Sequence, residues 1–264
     1  MKHETIDYTE RDGVAVVTLN RPEVYNAFND TMRRELRDIW QSLRRNDDVR
    51  AVVLTAAGDK AFCTGIDRSE VPVEEGEYDF SPYSYDDPGK DLGPRSQQLW
   101  KPVIAAVNGI ACGGAFYLLG ESDIIIAAEH ATFFDPHVTY GMPAVFEPTL
   151  MLARMPFGEA MRMSLTGASE RIGAAKAESI GLVTEVVPAD QLQETAFELA
   201  ATIASFPAPA VQATLRTLWA ARDLTPAQAV ELGNVFLHLS MSAESMAESQ
   251  HSFTTREKRK PVVR

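Results

Sequence analysis

Residues 103–120, VIAAVNGIACGGAFYLLG, constrain this chain more than any other stretch. The apolar run at their start reads as a buried strand, Asn108-Gly109 ends it, and Gly113-Gly114 opens an apolar helix. A glycine pair at a helix start leaves backbone N–H groups with no Cβ above them and no intrahelical partner. Such a place can hold an anion, or a developing oxyanion, with backbone alone. The same pair also permits close helix–strand packing, and these residues by themselves leave both readings open. A dinucleotide-binding G-x-G-x-x-G is excluded, because the spacing is wrong and the motif sits mid-chain.

Upstream, residues 51–70, AVVLTAAGDKAFCTGIDRSE, read as strand, turn and short polar segment, and Thr64-Gly65-Ile66-Asp67 supplies a second set of backbone donors able to face a cavity. Four segments then form a pattern: NRPEVYNAFN at 20–29, KAFCTGIDRSE at 60–70, KPVIAAVNGIACGGAF at 101–116 and LTGASERIGAAKAESIGLVTEVVP at 165–188. In these, and over essentially its whole length, the chain resembles the crotonase (enoyl-CoA hydratase/isomerase) superfamily. The resemblance implies an α/β fold, a spiral of strand–strand–helix units forming an acyl-CoA-binding core over residues 1–195. It implies a C-terminal helical segment, 196–264, that packs between subunits of a homotrimer or a hexamer (dimer of trimers). It also implies that the N–H groups of Ile66 and Gly114 form an oxyanion hole for a thioester carbonyl. CoA contacts would come from Arg21, Ala27, Thr64, Ile66, Asp67, Arg68, Gly113, Gly114 and Lys260. The CoA thioester is then substrate, with no further cofactor and no metal.

The formal charge of −12 argues against general nucleic-acid binding. Local cations answer the objection that an acidic chain would repel CoA: Arg21 and Arg68 flank the motifs, and the tail REKRKPVVR is basic. No apolar run approaches a membrane span, the N-terminus lacks a signal-peptide core, and Cys63 and Cys112 give neither a disulfide framework nor a metal-ligand neighbourhood. A cytoplasmic enzyme is expected. Strands are expected at 14–19, 51–56, 103–107 and 123–128, and a helix at 30–45 capped by Asp30 or Thr31. Residues 70–95, acidic and rich in Pro, Tyr and Gly, are expected to form a lid or acyl wall lined by Tyr78, Phe80, Tyr83 and Tyr85.

The acid–base residues depart from the resemblance. Hydratases of the superfamily use two glutamates that share a water; the corresponding positions here are Tyr117 and His137, with Glu147 added further on. A phenol, with a pKa of about 10, donates rather than accepts at neutrality, whereas histidine serves as acid or base near pH 7. The expected reaction is therefore isomerase-type proton transfer through a thioester enolate. His137 and/or Glu147 would move the proton and Tyr117 would orient the substrate. Two alternatives stay open: hydrolysis of a β-diketone carbon–carbon bond or a thioester, and a catalytically silent acyl-CoA binder.

Overall fold

The structure, a computed structural model, describes residues 3–69 and 87–242, with 246, 247, 250, 251, 253, 254 and 263. The chain divides into two compact units, one ending at Ala204 and one beginning at Ser205.

The first unit opens with the antiparallel hairpin β1 (Ile6–Arg11) and β2 (Val14–Leu19), followed by helix α1 (Asp30–Leu43). Then come β3 (Ala51–Ala56), β4 (Ala61–Cys63), the short α2 (Gly89–Leu92), β5 (Val103–Val107), β6 (Ile110–Cys112) and α3 (Ala115–Glu121). β7 (Ile124–Ala128), β8 (Thr132–Phe134), α4 (Phe146–Met151), α5 (Phe157–Thr166), β9 (Ile172–Gly173), α6 (Ala174–Ser179), β10 (Glu185–Val187) and α7 (Leu192–Ala204) complete it. One sheet runs β1-β2-β3-β5-β7-β10, parallel from β2 onward, and a second runs β4-β6-β8-β9. Each unit of the spiral gives one strand to each sheet: β3 then β4, β5 then β6, β7 then β8.

The inner strands of the large sheet are largely buried on both faces, which is why β2, β3, β5 and β7 are near-continuous apolar runs. Ala51, Val53, Ile104, Ala106, Ile126 and Ala128 meet Leu192, Ala196, Ala200 and Ala204 of α7, while Val52, Leu54, Val103, Ala105, Val107, Ile125 and Ala127 face the core that includes α1 and α3. The expected boundary at 195 is corrected by this packing. It falls inside α7, whose alanines hold that helix on the sheet to its last turn. α1 buries Met32, Leu36, Ile39, Trp40 and Leu43 on one face, and its cap is Asn29, whose side chain accepts from the Met32 N–H at 3.0 Å, not Asp30 or Thr31.

The second unit carries α8 (Ala208–Ala220) and α9 (Pro226–Ser240). Thr225 caps α9 in a reciprocal capping box with Gln228, and Pro226 takes the first turn, where its missing N–H costs nothing. A groove of about 760 Å³ between these helices is lined by Leu218, Val230, Leu237, Met241 and other residues, none titratable. No helix among the described residues is long and apolar enough to cross a membrane.

Candidate active site

The two donor segments meet. Phe28 bridges Ile66 in parallel fashion: its N–H donates to Gly65 O at 2.8 Å and its carbonyl accepts from the Asp67 N–H at 2.8 Å. That ladder uses the amides on either side of Ile66 and leaves the Ile66 N–H on the opposite side of the strand. Among the described residues neither the Ile66 nor the Gly114 N–H has a hydrogen-bond partner. Gly65 at φ +85° and Gly113 at φ +53° make the left-handed turns that aim these amides. A β-carbon on Gly65 would stand 3.0 Å from Gly114 N, so the segments are in backbone contact.

Beside them the second sheet delivers the acid–base residues. β8 ends at Phe134, and Asp135-Pro136 turns the chain into the 3₁₀ turn His137–Tyr140. Asp135 is fully buried, and its Oδ1 accepts from the His137 backbone N–H at 3.1 Å and lies 2.5 Å from His137 Nδ1. A carboxylate only accepts, so Nδ1 carries the proton. His137 Nε2 lies 3.4 Å from Glu147 Oε1, at the start of α4. Tyr117, in the first turn of α3, donates through its hydroxyl to Asp87 Oδ2 at 2.8 Å and lies close enough to Glu147 to feel its charge. Asp135, His137, Glu147, Tyr117 and Asp87 thus form one chain of contacts. His137 also lies against Gly113, whose added β-carbon would be 3.7 Å from the imidazole Cε1.

The environment tunes each group. The bond from Asp135 raises the His137 pKa above its ordinary value against the opposing effect of burial, with the Glu147 charge adding to the rise. Burial raises the Glu147 carboxyl, opposed by a backbone hydrogen bond and by His137. Tyr117 is pushed well above the phenol range, first by burial, then by the Glu147 charge and the bond to Asp87. A carboxylate raised in this way is a stronger base than an exposed one.

Of the residues expected from sequence, Ile66, Gly113, Gly114, Tyr117, His137 and Glu147 come together. Arg21 and Asp67 pair with each other at 2.9 Å, and Arg21 also donates to Ala27 O at 2.7 Å. Asp67 is held below the usual carboxylate range by the Ser69 hydroxyl, with Arg21 contributing. Thr64 Oγ1 donates to Tyr25 O at 3.4 Å. Arg68 lies over the Tyr140 ring at 5.0 Å. Lys260, Tyr78, Phe80, Tyr83 and Tyr85 lie outside the described residues. The described residues contain no group of three or more His, Cys, Asp or Glu able to hold a metal ion.

Asp87 and Asp135 join the site without having been picked out from the sequence. Both stand in Asp-Pro-x turns, the one local signal that would have found them. Glu121 and Asp123 are structural: Glu121 accepts from the Ser96 N–H at 2.7 Å, and Asp123 accepts from the Val103 N–H at 2.7 Å and pairs with Arg95.

The enoyl-CoA hydratase/isomerase family model matches residues 9–264. The (E)-benzylidenesuccinyl-CoA hydratase of Thauera aromatica is 37% identical over 227 residues, covering 86% of this chain and 85% of that protein. The 1,2-epoxyphenylacetyl-CoA isomerase of Escherichia coli K12 is 34% identical over 206 residues, 74% of each. A crystal structure of an enoyl-CoA hydratase/isomerase from Mycobacterium paratuberculosis superposes with a TM-score of 0.87 at 34% identity, covering 96% of both chains. With the donor segments and the spiral of two sheets already in place, these matches settle the affiliation: the chain belongs to the enoyl-CoA hydratase/isomerase family.

Proposed function

We propose that this acyl-CoA enzyme stabilises a thioester enolate and relocates a proton, as an isomerase does, in preference to hydrating a simple enoyl thioester. The observation that carries the reading is the burial of one carboxylate, Glu147, between His137 and Tyr117 beside the two unpartnered amides. The Ile66 and Gly114 N–H groups take the thioester oxygen as it gains charge, worth about 3–4 kcal/mol per donor. Glu147 removes a proton from the carbon next to the thioester, the electron pair moves into the enolate, and the proton returns at a different carbon. His137, held by Asp135, steadies Glu147 or shares its proton, and Tyr117, whose hydroxyl donates to Asp87, orients the substrate beside that carboxylate. By the resemblance, Tyr117 and His137 stand at the positions where hydratases carry the two glutamates that share a water.

Arg21, Ala27, Thr64 and Asp67 brace the strap that carries Ile66 on the CoA side, and Lys260 is assigned a CoA phosphate. The exposed Leu218, Val230, Leu237 and Leu239 of the second unit support assembly as a homotrimer or a dimer of trimers. The cytoplasm is the proposed location.

The test is transfer of α-hydrogen from butyryl-CoA or phenylacetyl-CoA into D₂O, followed by NMR, with conversion of a 3-enoyl-CoA to the 2-enoyl isomer. Both reactions are expected, and Glu147→Gln should slow them by about 10²–10⁴. Hydration of crotonyl-CoA should run at least ~10³-fold below a competent hydratase. Rapid hydration, or no exchange at all, refutes the reading. The 2.5 Å Asp135–His137 bond favours one second reading, a histidine that activates water for hydrolysis. Release of a free acid or of CoA thiol from the same panel would establish it.

A further inference from the structure

One cation at this site is engaged by no carboxylate. Arg21 is closed by Asp67, whereas Arg68 has no ion pair among the described residues, and its guanidinium rests on the Tyr140 ring. Asp67 is buried, whereas Ile66 and Arg68 on either side of it are exposed. Tyr140 closes the same 3₁₀ turn that His137 opens. Arg68 therefore faces the end of the site where the acyl carbons react. The CoA phosphates lie beyond the pantetheine arm, on the far side of the thioester. Val138, Tyr140, Met142 and Val145, on and just after that turn, are exposed apolar side chains, an apolar wall on the turn that Arg68 rests against. The charge of Arg68 is felt at His137, where it opposes protonation.

We propose that Arg68 is a specificity residue that pairs with a second anionic group, a carboxylate, on the acyl chain of the thioester. A guanidinium over an aromatic ring keeps its N–H fork free to take a carboxylate through two parallel bonds. An acyl group with an apolar body and a terminal carboxylate satisfies both the wall and the cation. This rests on the acyl-CoA reading above and narrows its substrate class to dicarboxylic acyl thioesters.

The test compares calorimetric binding of glutaryl-CoA, valeryl-CoA and free CoA, since the two acyl groups differ only by carboxylate against methyl. The wild-type chain should prefer glutaryl-CoA by at least ~10-fold, the usual scale of a hydrogen-bonded charge pair. Arg68→Gln should bring that ratio close to one by weakening glutaryl-CoA at least ~10-fold more than valeryl-CoA or CoA, and Arg68→Lys should keep part of the preference. Arg68 is exposed, so Arg68→Gln should fold with an unaltered melting curve. Equal binding of the two thioesters by the wild-type chain overturns the proposal and leaves the acyl-CoA reading intact. Equal weakening of all three ligands by Arg68→Gln also overturns it, since that marks a phosphate contact. Failure of both thioesters to bind removes the acyl-CoA reading and this proposal together.

Discussion

Gly114→Ala isolates the cost of closing the donor site. Gly114 has φ −59° and ψ −8°, an ordinary right-handed conformation, so alanine meets no backbone strain there. The entire effect is steric. The new β-carbon would stand 2.5 Å from Phe28 Cε1 and 2.9 Å from Cζ. The Phe28 ring is buried in the core, so it yields only by displacing its neighbours, and its backbone is tied to Gly65 and Asp67 on either side of Ile66. The ring must therefore push the bridge that carries the other donor. Overpacking of this kind costs about 1–3 kcal/mol, and a unit of this size loses about 2–4 °C of Tm per kcal/mol. On the proposed mechanism, displacing one oxyanion donor lowers kcat by about 10²–10³. The assay is α-hydrogen exchange of an acyl-CoA alongside thermal melting. Phe28→Leu removes the offending ring atoms, so the double variant should recover more activity and stability than the single effects predict, with a coupling of about 0.5–3 kcal/mol. Wild-type Tm and kcat in Gly114→Ala, or no coupling with Phe28→Leu, would refute the close approach of Gly114 and Phe28 as the source of the donor geometry.

Two further outcomes follow from burial. In Gly89→Ala the β-carbon would reach 2.3 Å from Tyr117 Cδ1, so the variant should lose about 1–3 kcal/mol and shift the Tyr117 ring, read by melting and by the tyrosine band of the near-ultraviolet CD. Cys63 and Cys112 are buried with thiols pushed up to about 12 by desolvation, so iodoacetamide at pH 8 should label neither until denaturant is added; labelling of the native chain would contradict their packing.

The sheet core was legible because β2, β3, β5 and β7 are near-continuous apolar runs, and burial on both faces demands that pattern. The donor turns were legible because Gly65 and Gly113 take conformations that other residues rarely adopt. The α7 boundary was not, because alanines at 196, 200 and 204 pack a helix on a sheet as well as they pack it against another helix. The acid–base chain was half legible. Tyr117, His137 and Glu147 stand out as unusual residues at informative positions. Asp87 sits in a stretch whose acidity looks like solvated loop, and only the fold brings it 2.8 Å from a helix thirty residues away.

Asp87 and Asp135 share one local design. In Asp87-Pro88-Gly89 the Asp Oδ1 accepts the N–H two residues on at 2.7 Å, and in Asp135-Pro136-His137 it does so at 3.1 Å. Proline sets the turn and the short side chain closes it. The carboxylate is thereby fixed to its own backbone before it meets Tyr117 or His137. Charge and turn can be separated at Asp135. Asparagine keeps an Oδ1 acceptor for the backbone and loses the charge; glutamate keeps the charge but is one methylene too long for the turn. The bond from Asp135 raises the His137 pKa, so imidazolium persists to higher pH than in a free histidine. Its contribution to stability is complete below the unfolded pKa of about 6.5 and is lost as pH rises through the folded one. Asp135→Asn should therefore move the NMR titration of His137 to lower pH, carry any rise of rate with pH along with it, and erase that pH-dependent stability. Asp135→Glu should leave the His137 titration raised while lowering kcat, because the imidazole is no longer held toward Glu147. An Asp135→Glu variant with wild-type kcat would show that the charge alone suffices and that the turn plays no part in placing His137.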